Sequence, residues 1–142
     1  MAAIDGIIST FQSVDEAVRL EVLLDYAKKL PDLPEDLAAE ADSDDALVPE
    51  CMTPVWLWVR QEDGHARIHA RVADEAPTVK GMLSVLIHGY KDAAPEELAA
   101  IPDTLVADLG LSRMIRMNRA VGIGAIIERV RRQAREMKEH AT

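Results

Sequence analysis

Apolar residues recur along this chain with two different periods, and the changes of period divide it into helical and extended stretches. Ala17, Leu20, Leu24 and Ala27 return at helical intervals behind Ser13 and Glu16, which have the spacing of a capping box. This predicts a first element, a helix over roughly residues 14–30, stopped by Pro31 and Pro34. A linker rich in Asp, Glu and Ala then runs to Asp45, with Asp42-Ser43-Asp44-Asp45 as exposed coil. Beyond it the period becomes two. Val55, Leu57 and Val59 alternate with Trp56, Trp58 and Arg60, Asp63-Gly64 forms a hairpin turn, and a return strand runs from about His65 to Ala73. On that strand Ile68, Ala70 and Val72 share one face and Arg67, His69 and Arg71 the other, so the sheet is buried on one side only. A short strand at Leu47-Val48 is expected to add an edge, a place that suits Pro49 because proline cannot donate to a ladder.

The helical period then returns. Asp74 is the expected N-cap of a buried central helix with Pro77 in its first turn and Val79, Met82, Leu83, Leu86 and Tyr90 as its apolar stripe. Pro95 opens a short helix through Ala100, Asp103 caps another, and Gly110 stands where a helix would end. Asn118 is expected to cap a final helix whose stripe is Ile123, Ile127, Val130, Ala134 and Met137, with Arg131, Arg132, Arg135 and Glu139 facing away. Helix, strands, then helices is the order of an α+β domain: a small antiparallel sheet of about three strands covered on one face by helices. A single domain is expected over residues 1–142.

Charge removes one class of function. The chain of 142 residues has a net charge of −9, which repels a phosphate backbone and argues against nucleic acid as a partner. No apolar stretch approaches the roughly 18 residues of a membrane span, and no basic segment with a following apolar run opens the chain, so neither membrane insertion nor secretion is expected. There is one cysteine, which forms no intrachain disulfide, and a cytoplasmic location is the expectation.

That cysteine, Cys51, is the candidate for chemistry, set in Val48-Pro49-Glu50-Cys51-Met52-Thr53-Pro54-Val55-Trp56, where a turn feeds into the apolar strand. A reactive thiol needs access and a field that favours the thiolate. Glu50 and the acids at Asp42, Asp44 and Asp45 act the other way if near it, and Arg119, at the start of the last helix, is a candidate cation among many. On the residues alone, a buried small hydrophobe remains the commoner role for such a cysteine. The histidines form no ligand cluster: His65 and His69 stand about 13 Å apart on an extended strand. Gly122-x-Gly124 lies inside a predicted helix with no strand before it, which reads as a packing point and not a phosphate cradle.

The cysteine segment resembles the cysteine loop of the SufE-type sulfur acceptors: an apolar residue, a spacer, Gly, Cys, a spacer, Ser, a spacer, Val and Trp. Pro77-Thr78-Val79-Lys80-Gly81 is similar to that family's Val-Lys-Gly helix start, Leu109-Gly110-Leu111 also fits, and Arg119 and Gly122 resemble the Arg and Gly that open its last helix. The likeness runs from about Ile8 to Arg135. It implies the α+β fold of SufE and the iron–sulfur scaffold proteins. It also implies a sulfur-transfer accessory protein with no metal and no cofactor of its own, pyridoxal phosphate belonging to its partner, a cysteine desulfurase of the SufS or CsdA type. In that reading Cys51 accepts persulfide sulfur, Glu50, Met52, Thr53 and Pro54 form the presenting loop, Arg119 gives electrostatic support, and a cluster-assembly scaffold such as SufBCD receives the sulfur. The chain departs from the pattern at Glu50, where the family has Gly, and at Thr53, Pro54 and Val121. A docking or regulatory paralogue that carries no sulfur is the alternative.

Overall fold

Strand alternation and turn chemistry together fix the centre of the molecule. In the computed structural model, which describes residues 3–38, 46–48, 54–73, 76–115 and 117–140, β1 (Val55–Glu62) and β2 (His65–Val72) form an antiparallel hairpin. Asp63 and Gly64 both take positive φ, 54° and 80°, as a two-residue type I′ turn demands. The register pairs Val55 with Val72 and Glu62 with His65, so Val55, Leu57, Ala66, Ile68, Ala70 and Val72 all face inward and are buried. On the outer face Trp56 and Trp58 are half-buried, and the Arg71 guanidinium lies 5.5 Å from the centre of the Trp56 ring.

The expected third strand is a single contact. Leu47 bridges Trp56 antiparallel, flanked by the bonds from Val48 N to Val55 O, 2.8 Å, and from Leu57 N to Ala46 O, 2.9 Å. Among the described residues the sheet therefore has two strands, with this short arm against β1.

Helices cover the inner face. Two of them precede the hairpin, α1 (Ala3–Gln12) and α2 (Glu16–Lys28), where sequence periodicity predicted one. Asp15, not Ser13, caps α2, its carboxylate accepting from Val18 N at 3.0 Å, while the Ser13 hydroxyl donates to Thr10 O at the end of α1. The buried face of α2 is also turned from the expected stripe: Leu23 and Ala27 are buried, Leu24 is half-buried, and Ala17 and Leu20 are exposed. After Pro31 the linker contains one helical turn, α3 (Glu35–Ala38), with Leu37 and Ala38 donating to Pro34 O.

The central helix, α4 (Pro77–Gly89), is buried along nearly its whole length. Its N-cap is Ala76, with no side-chain cap; Asp74 lies outside the described residues. Two glycines let neighbours in: a Cβ on Gly81 would stand 2.5 Å from Leu23 O of α2, and one on Gly89 2.7 Å from the Ile4 side chain of α1. Two short helices follow, α5 (Pro95–Ala99) and α6 (Leu105–Asp108). Thr104 occupies the N-cap of α6, and Asp103, expected there, instead accepts from Arg131. Gly110, at φ +72°, follows the end of α6 as expected.

The last helix is α7 (Met117–His140), which places Asn118 inside its first turn and not at the cap. Its stripe is as expected, with Ile123, Ile127, Val130 and Ala134 buried. Arg131 does not face away. Its Nη1 donates to Ile101 O at 3.2 Å and Asp103 Oδ1 at 2.6 Å, and its Nη2 lies 2.8 Å from Glu128, which ties α7 to the loop before α6. Gly122 is buried, whereas Gly124 is exposed with open space where a Cβ would be. Side chains from Ile4 to Ala134 join in one apolar cluster between the sheet and the helices.

Candidate functional site: the cysteine segment and its base

The segment that carries Cys51 is bounded by two fixed points. Val48 is buried and its amide donates to Val55 O, so the chain leaves the ladder and re-enters it at positions that face each other. Pro54 is exposed, and its carbonyl accepts from Ala73 N at 3.2 Å, which attaches the return of the segment to the end of β2. Glu50, Cys51, Met52 and Thr53 lie outside the described residues. Arg119 falls in the first turns of α7, and its side chain also lies outside them.

Two residues that sequence reasoning passed over complete the base. In an antiparallel pair without direct hydrogen bonds, such as Leu47 with Trp56, the main-chain groups of each residue point away from the other. The outward Leu47 carbonyl accepts from Arg129 Nη1 of α7 at 3.0 Å. Farther along the same edge, Val59 N, beyond the reach of the short arm, donates to Gln133 Oε1 at 2.9 Å. Arg129 and Gln133 are four residues apart on one helix, so they reach the same edge one turn from each other. No sequence pattern marks such side-chain bonds to backbone groups 82 and 74 residues away.

Two of the histidines have hydrogen-bond partners. His69 Nε2 lies 3.0 Å from Glu62 Oε2, and His88 Nε2 lies 3.2 Å from Lys29 O. Among the described residues no cluster of His, Cys, Asp or Glu could hold a metal ion, and no helix is long and apolar enough to cross a membrane. Arg131 has its pKa raised, first by the hydrogen bond to Asp103, and stays charged.

Comparison with known proteins decides the family. The model of the SufE family, described as "Fe-S metabolism associated domain", matches residues 5–134. The chain belongs to the SufE family. Uncharacterized SufE-like proteins of Mycobacterium tuberculosis are 34% identical over 136 residues, covering 95% of this chain and 93% of theirs. An uncharacterized SufE-like protein of Synechocystis is 28% identical over 129 residues, covering 90% of this chain and 77% of its own length. The solution structure of a hypothetical protein from Thermus thermophilus superposes with a TM-score of 0.83 at 29% identity, covering 96% of each chain. The expected family and the α+β fold class are therefore borne out, and membership associates the SufE-like chain with iron–sulfur metabolism.

Proposed function

We propose that this SufE-like protein is a sulfur acceptor in which Cys51 receives persulfide sulfur from a cysteine desulfurase and passes it to iron–sulfur cluster assembly. The observation that carries the reading is the pairing of the chain's one cysteine with a segment pinned at Val48 and Val55, in a member of this family. A carrier needs one reactive thiol and no second cysteine to expel the sulfane sulfur as a disulfide forms.

The chemistry is exchange at sulfur. The Cys51 thiolate attacks the terminal sulfur of the desulfurase persulfide, a new S–S bond forms to Cys51, and the donor's S–S bond breaks with its electron pair. The desulfurase cysteine leaves as a thiolate, and Cys51 holds the persulfide. No external oxidant or reductant is consumed. The rate depends on thiolate fraction, leaving-group pKa and access. Arg119 favours the thiolate if its guanidinium approaches, and Glu50 opposes it. Residues Glu50 to Pro54 present the thiol to the desulfurase, whose pyridoxal phosphate generates the persulfide, and a scaffold of the SufBCD type takes the sulfur on.

Intact mass after incubation with desulfurase, cysteine and pyridoxal phosphate tests the reading. The expected result is a gain of one sulfur atom that a thiol reductant removes and Cys51→Ser abolishes. No gain, or a gain that persists in Cys51→Ser, overturns it. Glu50 beside the thiol favours a second reading, a docking paralogue that stimulates the desulfurase without carrying sulfur. That reading requires stimulation to survive Cys51→Ser.

A further inference from the structure

We propose that Arg129 and Gln133 are a positioning pair for Cys51, an inference that rests on the sulfur-acceptor reading above. Among the described residues, two backbone rungs hold the arm Ala46–Val48 to β1, Val48 N to Val55 O and Leu57 N to Ala46 O. A further attachment comes from outside the sheet, where Arg129 Nη1 donates to the Leu47 carbonyl, four residues before Cys51.

Gln133 extends the same connection. By accepting from Val59 N it locks the body of β1 to α7, so both sides of the short ladder refer to one rigid helix. A slip of the arm against β1 would break the Arg129 bond, and a rotation of α7 would break both. The ends of the cysteine segment consequently keep a fixed spacing and register while the residues between them meet a partner. Sulfur exchange needs in-line approach of three sulfur atoms, and a misplacement of about 1 Å can cost a hundredfold in rate. A loosened base therefore lowers the turnover of sulfur uptake while leaving desulfurase docking intact.

The test uses Arg129→Met, which keeps the apolar stem and removes the donors, with Arg129→Lys as the conservative variant. In Arg129→Met the amides of Val48 and Leu57 should exchange with deuterium about tenfold faster, as loss of one supporting hydrogen bond implies. Ala66 N, bonded to Ala93 O on the opposite edge, is the internal control and should change less than about twofold. The maximal rate of sulfur uptake should fall severalfold at an unchanged half-saturating desulfurase concentration, and Arg129→Lys should recover part of both effects. Unchanged exchange at Val48 and Leu57, or equal acceleration at Ala66, overturns the proposal. Should the wild-type protein take up no sulfur, the sulfur-acceptor reading alone fails. The alkylation rate of Cys51 by iodoacetamide then decides the pair's role: a changed rate in Arg129→Met supports positioning, and an equal rate refutes it.

Discussion

Compare the two edges of the hairpin. Along the β1 edge, Val55 O, Leu57 N and Val59 N each have a partner, two in the arm Ala46–Val48 and one in Gln133 of α7. Along the β2 edge, Ala66 N meets Ala93 O, and beyond it Ile68, Ala70 and Val72 border two cavities of about 330 and 180 Å³. Leu30, Pro31, Asp32, Leu33 and Pro34 line the far walls. Beyond the Ala93 bridge, the β2 edge is blunted against other strands by flanking prolines and by Arg67, Arg71 and Lys91. The β1 edge leads to Cys51, and there a distant helix spends two side chains on backbone groups. The difference is one of means: side chains of a distant helix reach the backbone beside the cysteine segment, whereas the other edge is bordered by a loop and by cationic side chains.

The strongest way to break this contrast is to truncate one leucine on each side. Leu57, fully buried beneath the β1 edge, should cost about 3 kcal/mol as Leu57→Ala. Leu33, half-buried against the larger cavity, should cost under about 1 kcal/mol as Leu33→Ala, because less apolar surface leaves water and the site is already loosely packed. Urea denaturation at neutral pH measures both. Comparable losses would mean that the two sides are equally well packed.

A smaller effect reads hydration on the β2 side. Tyr90 lines the smaller cavity, and its pKa is raised first by burial and then by Asp5 and Glu97. A phenol whose folded pKa lies above its unfolded value of about 10 binds more protons in the native state, so its contribution is intact below pH 10 and is lost as pH rises through the folded pKa. Tyr26, also raised by burial, acts in the same direction. Stability should fall between pH 9 and higher alkaline pH, and Tyr90→Phe should flatten that fall. An unaltered slope in the variant would show that water in the cavity solvates the phenolate.

Much of the scaffold was legible because its periods are unambiguous. The hairpin, its Asp63-Gly64 turn, the buried α4 and the inner stripe of α7 all follow from spacing alone. The α2 face did not, because Leu20, Val22, Leu23 and Leu24 place apolar side chains around most of the helix. The choice between faces was made elsewhere, by Gly81, whose missing Cβ admits the Leu23 backbone. The helix α1 has the right spacing, with Ile4 and Phe11 buried, but adjoins the Ser13 and Glu16 pair that drew the boundary in the sequence. Arg131 looks solvent-facing until Asp103 and Ile101 O approach from a loop 28 and 30 residues away. At the candidate site the cysteine segment was legible as a motif, whereas the Arg129 and Gln133 bonds at its base depend on tertiary placement.

The finest probe of the contrast asks whether the β1 edge draws its rigidity from α7. Gly124 lies in that helix, five residues before Arg129, with nothing within 4 Å of a Cβ built there. Gly6 is equally unobstructed in α1, which packs on α4. Each glycine costs its helix conformational entropy, so Gly124→Ala and Gly6→Ala should each raise stability by about 0.5–1 kcal/mol in urea denaturation. Their local effects should differ. Stiffening α7 near Arg129 should slow the local opening that exposes the Val48 and Leu57 amides, whereas stiffening α1, which packs on α4, should leave that opening unchanged. If both substitutions slow those two amides alike, the base of the cysteine segment opens only with the whole fold, and α7 gives it no rigidity of its own.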